Sequence, residues 1–233
     1  SPRAWPALGR FSHEAIALDS LHQQIYLSED KPDGCLYRFT PKTLTPEGFA
    51  DFTSGTLEVA VRNESTMAVT WAVLPNPGGG SSEPTRYQVK STPGITSTVF
   101  NGGEGMAYFN GMVFLATKGD DRIWRYDTFT QTLSILYDAS THPTPILSGV
   151  DNITLSHAGE LLVAEDGGAM QIVALTQANK LIPIVQIIGQ DSSEVTGPAF
   201  SPDGKRLYFS SQRGSRGISS GGISYEVTGP FHD

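Results

Sequence analysis

The 233-residue sequence has a single cysteine, Cys35, which excludes an internal disulfide and says nothing about redox compartment. It has no apolar run near the roughly 20 residues that a membrane-spanning helix needs, so no membrane partner is expected. Basic residues are the minority: 16 Lys and Arg stand against 24 Asp and Glu, a net charge of −8 at pH 7. That excludes the basic footprint of a non-specific nucleic-acid binder and suits a protein that binds cations. No helix is predicted along the chain. Gly-x-Ser-x-Gly, a Cys–His pairing, a phosphate-cradling glycine loop before a helix and Cys/His zinc spacing are all missing. The N-terminal residues carry no signal-peptide pattern, although a mature secreted chain would have lost one.

Turn residues are abundant, with 25 Gly and 15 Pro, as suits short strands joined by tight turns. The stretch Gly149–Gly168, GVDNITLSHAGELLVAEDGG, shows the unit. Two short apolar runs flank a Gly-bearing turn, which reads as a β-hairpin. Asp151-Asn152 opens it and Glu165-Asp166 closes it, so the polar groups fall at one edge.

The layout recurs. SHEAIALDSLHQQIYLSED has Glu14 at its opening and Glu29-Asp30 at its close. GEGMAYFNGMVFLATKGDD has Glu104, the turn Asn110-Gly111 and Lys118; EVTGPAFSPDGKRLYFSSQRG has Glu194, the turn Pro202-Asp203-Gly204 and Gln212. A weaker copy is expected at Leu57–Leu74. Short strands repeating every 45–48 residues or so indicate a β-propeller. The expectation is one all-β domain over residues 1–233, with about five four-stranded blade repeats, a number compatible with part of a six-bladed ring. Residues 75–93 read as flexible loop. Ile182-Pro183 marks an edge strand, and residues 222–227 a closing strand. An incomplete ring would leave strand edges unpaired. The two ends of the chain are therefore expected to pair with each other or with a partner chain that closes the ring.

Inner strands line a propeller's channel, so the acidic ends converge: Glu14, Glu29, Glu104, Asp151, Asn152, Glu165, Asp166 and Glu194. Such a hard-oxygen ring suits calcium, and a bound cation is the simplest way to keep it ionised. Any one of these carboxylates, taken alone, reads better as a solvated turn residue or strand cap. The matched set favours a shared metal site. Lys118, Lys31, Arg122 and Arg213 could face an anionic small-molecule substrate; for Arg122 a surface cation is the better reading. His157 lies in a turn far from the acidic edge, and His13 points to the opposite face from Glu14.

Four motifs in this order, GRFSHEAIALD…IYLSEDKPDGCLYRFTP, GGEGMAYFNGMVFLATKGDDRIWRYD, VDNITLSHAGELLVAEDG and EVTGPAFSPDGKRLYFSSQRG, resemble the PhoX-type alkaline phosphatases and their propeller relatives. The resemblance covers Gly9 to Gly214 and is weakest from Thr43 to Thr98. It implies a propeller, a central cluster of calcium with iron, and phosphate-ester hydrolysis in the periplasm or outside the cell. The family's acidic positions match Glu14, Glu29, Glu104, Asn152, Glu165 and Glu194. Glu104 and Lys118 are the residues expected to carry the chemistry. The sequence begins after the family's N-terminal Thr-Pro-Trp-Gly-type motif, whose cysteine ligates iron, and Cys35 does not replace that cysteine. Calcium is therefore the expected metal and iron the less supported one. Lys31 stands where relatives often have Arg. Fold alone leaves two alternatives open. One is a calcium-dependent lactonase or esterase of the gluconolactonase and paraoxonase type. The other is a non-catalytic calcium-binding propeller.

Overall fold

Alternating short strands and tight turns produce sixteen strands in four antiparallel sheets in the computed structural model, which describes residues 3–79 and 84–231. Sheet 1 runs β1 (His13–Asp19), β2 (Gln24–Glu29), β3 (Leu36–Pro41), β4 (Gly55–Arg62) and β5 (Val69–Leu74) in chain order. Sheet 2 holds β6 (Gly103–Phe109), β7 (Met112–Thr117), β8 (Arg122–Asp127) and β9 (Thr132–Asp138). Sheet 3 holds β10 (Val150–Leu155), β11 (Leu161–Glu165), β12 (Gln171–Leu175) and β13 (Leu181–Gln186), with the Pro183 strand at the edge. Sheet 4 holds β14 (Val195–Phe200), β15 (Arg206–Ser211) and β16 (Ile223–Thr228), so residues 222–227 do supply a last strand. The β6–β7 turn is made by Asn110 (φ 47°) and Gly111 (φ 83°), the left-handed pair that a two-residue hairpin requires.

The first strand of each sheet is innermost. β1 packs on β6, β6 on β10 and β10 on β14, the serial face-to-face order of a propeller. Apolar side chains fill each gap: Tyr26, Met106 and Trp124 between sheets 1 and 2, Phe114, Ile153 and Val163 between 2 and 3, and Leu162, Val195 and Phe209 between 3 and 4.

Two expectations are corrected. Four sheets replace about five blades, because Leu57–Leu74 forms β4 and β5, which extend sheet 1 through pairs such as Tyr37↔Val59. A helix, α1 (Pro84–Ser91), lies within the stretch read as loop. It has eight residues and buries the polar Thr85, Arg86 and Gln88 alongside Val89, so it shows no apolar stripe. Of the two alternatives for the chain ends, pairing with each other is not seen among the described residues. β16 pairs with β15, whereas Ala7, Leu8 and Phe11 join Tyr37, Phe39 and Val89 on the outer face of sheet 1. That covering buries both faces of β3. β14 does not come back to pack on β1, so the described residues do not form a closed ring.

Candidate functional site

Each inner hairpin closes on the same main-chain bond. The N–H of Asp30 donates to Ser12 O (3.0 Å), Lys118 to Gly102 O (2.9 Å), Asp166 to Gly149 O (2.8 Å) and Gln212 to Glu194 O (2.9 Å). Just inside that bond every inner strand shifts register: between His13 and Ile16, Gly103 and Met106, Val150 and Ile153, and Thr196 and Ala199. A bulge re-aims side chains at a sheet's rim. The register matches Glu14 with Glu104, Asp151 and Thr196. Asn152 matches Ala15, Gly105 and Gly197 instead. Gly105 lets two bulges meet: a Cβ there would stand 2.5 Å from Ile153 N and 2.7 Å from Asp151 O. Its lack of a side chain brings Glu104 beside Asp151.

Three carboxylates converge on Lys118. Its Nζ lies 2.8 Å from Glu104 Oε1, 3.1 Å from Asp151 Oδ2 and 3.1 Å from Asp166 Oδ2. Arg213 extends the cluster into sheet 4, at 3.8 Å from Asp166 Oδ1 and 3.3 Å from Glu194 Oε2. Burial works against the charge on Lys118, yet its bond to Glu104 and the field of Asp151 raise its pKa above the ordinary value. Burial pushes Glu104 up to about 7, the field of Asp151 adding to it and Lys118 opposing it. Glu14, Asp151 and Glu194 are also raised, chiefly by burial. Asp151 and Asp30 add to the shift at Glu14, which places Glu14 in the same field.

Asn152 works one layer out. Its Nδ2 donates to Asp151 Oδ1 (2.7 Å), and its Oδ1 accepts from Thr196 Oγ1 (2.8 Å) and Gly197 N (2.7 Å). It orients Asp151 and ties sheet 3 to sheet 4. Glu29 and Glu165 lie outside the cluster. Glu29 accepts from Cys35 N (3.1 Å) and the Tyr37 hydroxyl (3.0 Å) and pairs with Arg86 of α1 at 2.8 Å. Glu165 accepts from the N–H groups of Ser148, Ala169 and Gln171. Both are fully buried and hold the closing loops of their own sheets. Arg122 pairs with Asp120 and Asp138 and lies over Trp124. His13 stacks on Phe11. Among the described residues no three His, Cys, Asp or Glu side chains are arranged to hold a metal ion. The point on which Glu104, Asp151 and Asp166 converge is held by the Lys118 ammonium. The sequence reading missed Asp30 as a ring neighbour and Arg86 as the partner of Glu29. Asp30 was legible, since it directly follows Glu29 as Asp166 follows Glu165. Arg86 carried no signal.

The profile of the alkaline phosphatase PhoX family matches residues 1–214. The chain belongs to that family. Of the PhoX-family positions matched in the sequence, Glu104 and Glu194 are in the cluster and Glu14 is in its field. Asn152 orients the cluster, and Glu29 and Glu165 support its frame. No curated protein matches the sequence. A chain of the nidogen/laminin complex superposes with a TM-score of 0.53 at 13% identity, over 84% of this chain and 56% of that one. This chain thus spans little more than half of that one's length. A gluconolactonase from Xanthomonas campestris gives 0.41 at 11% identity (84% and 68% covered), and the WD40 propeller domain of Doa1 gives 0.39 at 11% (92% and 78% covered). These are likenesses of fold alone.

Proposed function

We propose that this PhoX-family chain hydrolyses phosphate monoesters with the help of calcium held at the carboxylate cluster. The observation that carries the reading is the convergence of Glu104, Asp151 and Asp166 on one ammonium, continued through Arg213 to Glu194. These four carboxylates, with Glu14 and Asp30 beside them, outnumber their two cationic partners. An excess of hard oxygen donors suits calcium, and Cys35 lies apart, buried in sheet 1. Glu104, Asp151, Asp166 and Glu194 are the side chains that would have to draw together around the cation, since as they stand Lys118 takes the point between the first three. When bound, it supplies Lewis-acid polarisation of the phosphoryl oxygens and neutralises their charge. Lys118 and Arg213 present positive charge at the same place, the guanidinium in a fork that matches two phosphate oxygens. Asn152 keeps Asp151 in position. We place the activity outside the cytoplasm, in the periplasm or beyond, in keeping with the family resemblance alone.

The test is hydrolysis of p-nitrophenyl phosphate against a lactone panel, with and without chelator, alongside elemental analysis. Chelator-sensitive release of p-nitrophenol with calcium in the protein is expected. Turnover of lactones and not phosphate would move the assignment to a lactonase. Bound calcium with neither activity would make the propeller a non-catalytic calcium binder.

A further inference from the structure

The inner hairpins are built alike, so equivalent places in successive sheets can be compared. Counting back from the closing bonds, Tyr26, Phe114 and Leu162 correspond, and each faces the next sheet in the series. Their cross-strand partners are Arg38, Arg125 and Ala174. One strand further out stand Glu58, Ser134 and Ile182. Between sheets 1 and 2 the guanidinium is fully partnered. Arg38 pairs with Glu58 at 2.8 Å, and its Cζ lies 4.4 Å from the centre of the Trp71 ring, which β5 supplies. The Trp71 indole donates in turn to the Tyr126 hydroxyl across the gap (3.1 Å). Between sheets 3 and 4 Ala174 removes the cation, and Phe231 packs there edge-to-face on Phe200.

Between sheets 2 and 3 the same place has the cation and neither of its partners. Sheet 2 has four strands, so no fifth strand brings an indole, and Ser134 stands where sheet 1 has Glu58. Arg125 Nε donates to Ser134 Oγ (3.1 Å), and no carboxylate pairs with the guanidinium among the described residues. Asp127, two residues on, is held by the N–H groups of Phe129 and Thr130. Beside Arg125 is a cavity of about 350 Å³, floored by Phe109, Phe114, Leu161 and Leu175, with Asn110 and Gln177 exposed at its rim. An apolar floor with a few polar groups at the mouth is the make-up of a small-molecule site. It lies by the β6–β7 and β12–β13 turns, at the end of the sheets remote from Lys118. We propose that this cavity binds a small aromatic carboxylate. The carboxylate takes the place on Arg125 that Glu58 takes on Arg38. The ring takes the place of the Trp71 indole, against the guanidinium face and the apolar floor. Both contacts are favourable to a guanidinium, and burial of the ring adds to them. A neutral apolar ligand would leave the guanidinium without an anion, and an inorganic anion would leave the floor uncovered.

The test is titration of the chain with indole-3-propionate, with its neutral amide and with acetate, followed by calorimetry and by backbone amide shifts. The two-carbon tether of indole-3-propionate lets its ring lie on the guanidinium face while the carboxylate reaches the edge. Indole-3-propionate is expected to bind, with the largest shifts at Gly159 and Gln177. The amide is expected to bind about tenfold more weakly, for want of the charge-assisted bond, and acetate to give no shifts there. Arg125→Gln is expected to bring the acid down to the affinity of the amide and to leave the amide unchanged. Ser134→Glu, which copies Glu58 and supplies the carboxylate from within, is expected to do the same. Circular dichroism checks that both variants are folded, and if one is not, the other gives the same discrimination. No binding by the wild type, equal binding of acid and amide, or shifts centred on Lys118 and Arg213 overturns the proposal. So does wild-type affinity for the acid in the folded variants.

Discussion

Glu29 and Glu165 occupy corresponding places at the ends of β2 and β11, and neither carboxylate reaches the cluster. Each turns inward to receive the N–H groups of the loop that follows it, and Glu29 also holds Arg86 of α1. The next residues, Asp30 and Asp166, are the ones that face the ring.

Glu165→Gln is accordingly expected to act on the fold. The carboxylate accepts Ser148 N at Oε1 and both Ala169 N and Gln171 N at Oε2. An amide accepts at one end only, so its NH2 must face a buried N–H. A loss of about 2–3 kcal/mol is expected, read as a fall of roughly 4–12 °C in melting temperature for a domain of this size. Calcium affinity of the folded fraction should be retained. Unchanged melting would show that the loop does not depend on this carboxylate.

Glu104→Gln should do the reverse. It keeps the side chain's shape and removes one negative charge from the cluster. A ligand that binds only the folded chain stabilises it by roughly 2.7 kcal/mol at a hundredfold excess over its dissociation constant. The wild type should therefore melt lower in chelator than in calcium, and Glu104→Gln should shrink that difference together with phosphatase activity. Glu160→Gln, in the β10–β11 turn at the end of the sheet-3 hairpin away from the cluster, should do neither. Paired melting and activity assays of the three proteins check this.

Gly105→Ala tests the meeting of the two bulges. The added Cβ falls 2.5 Å from Ile153 N, so β6 and β10 must separate. Overpacking of this kind costs about 1–3 kcal/mol. The separation also parts Glu104 from Asp151, so calcium affinity should fall along with melting temperature. A calorimetric titration at a temperature where the variant is folded distinguishes the two effects.

The acid limb of stability should depend in part on Asp19. Its Oδ1 accepts Leu21 N and His22 N, and its Oδ2 meets His22 Nδ1 at 2.7 Å. Burial alone would raise its pKa, but the bonds and charge of His22 together with the Tyr108 hydroxyl outweigh burial and the net shift is downward. A folded value below the unfolded one means that the unfolded chain takes up the proton first. The stabilisation is present above about pH 3.9 and is lost as pH falls through the folded value. Urea melts of wild type and Asp19→Asn should differ most near neutral pH and converge at acid pH. A constant gap across that range would remove Asp19 from the account.

Much of the architecture was legible because hairpins announce themselves through turn residues and alternation. Asn110-Gly111 and the acidic hairpin ends lie where the sequence placed them. What escaped was set by tertiary packing. Register, which sequence does not carry, decided that Asp151 and not Asn152 matches Glu104. Neighbouring carboxylates at Glu29-Asp30 and Glu165-Asp166 look alike in one dimension, and only the twist of the strand end determines which faces the ring. Arg86 sits on a helix of eight residues whose buried face is largely polar, so no periodicity marked it.

The four closing bonds from Asp30, Lys118, Asp166 and Gln212 use only main-chain atoms. The side chains at those places are not needed to close the hairpins, and in this chain they read negative, positive, negative and neutral. Electrostatic character around the axis can be altered there one unit at a time while the hairpins stay tied.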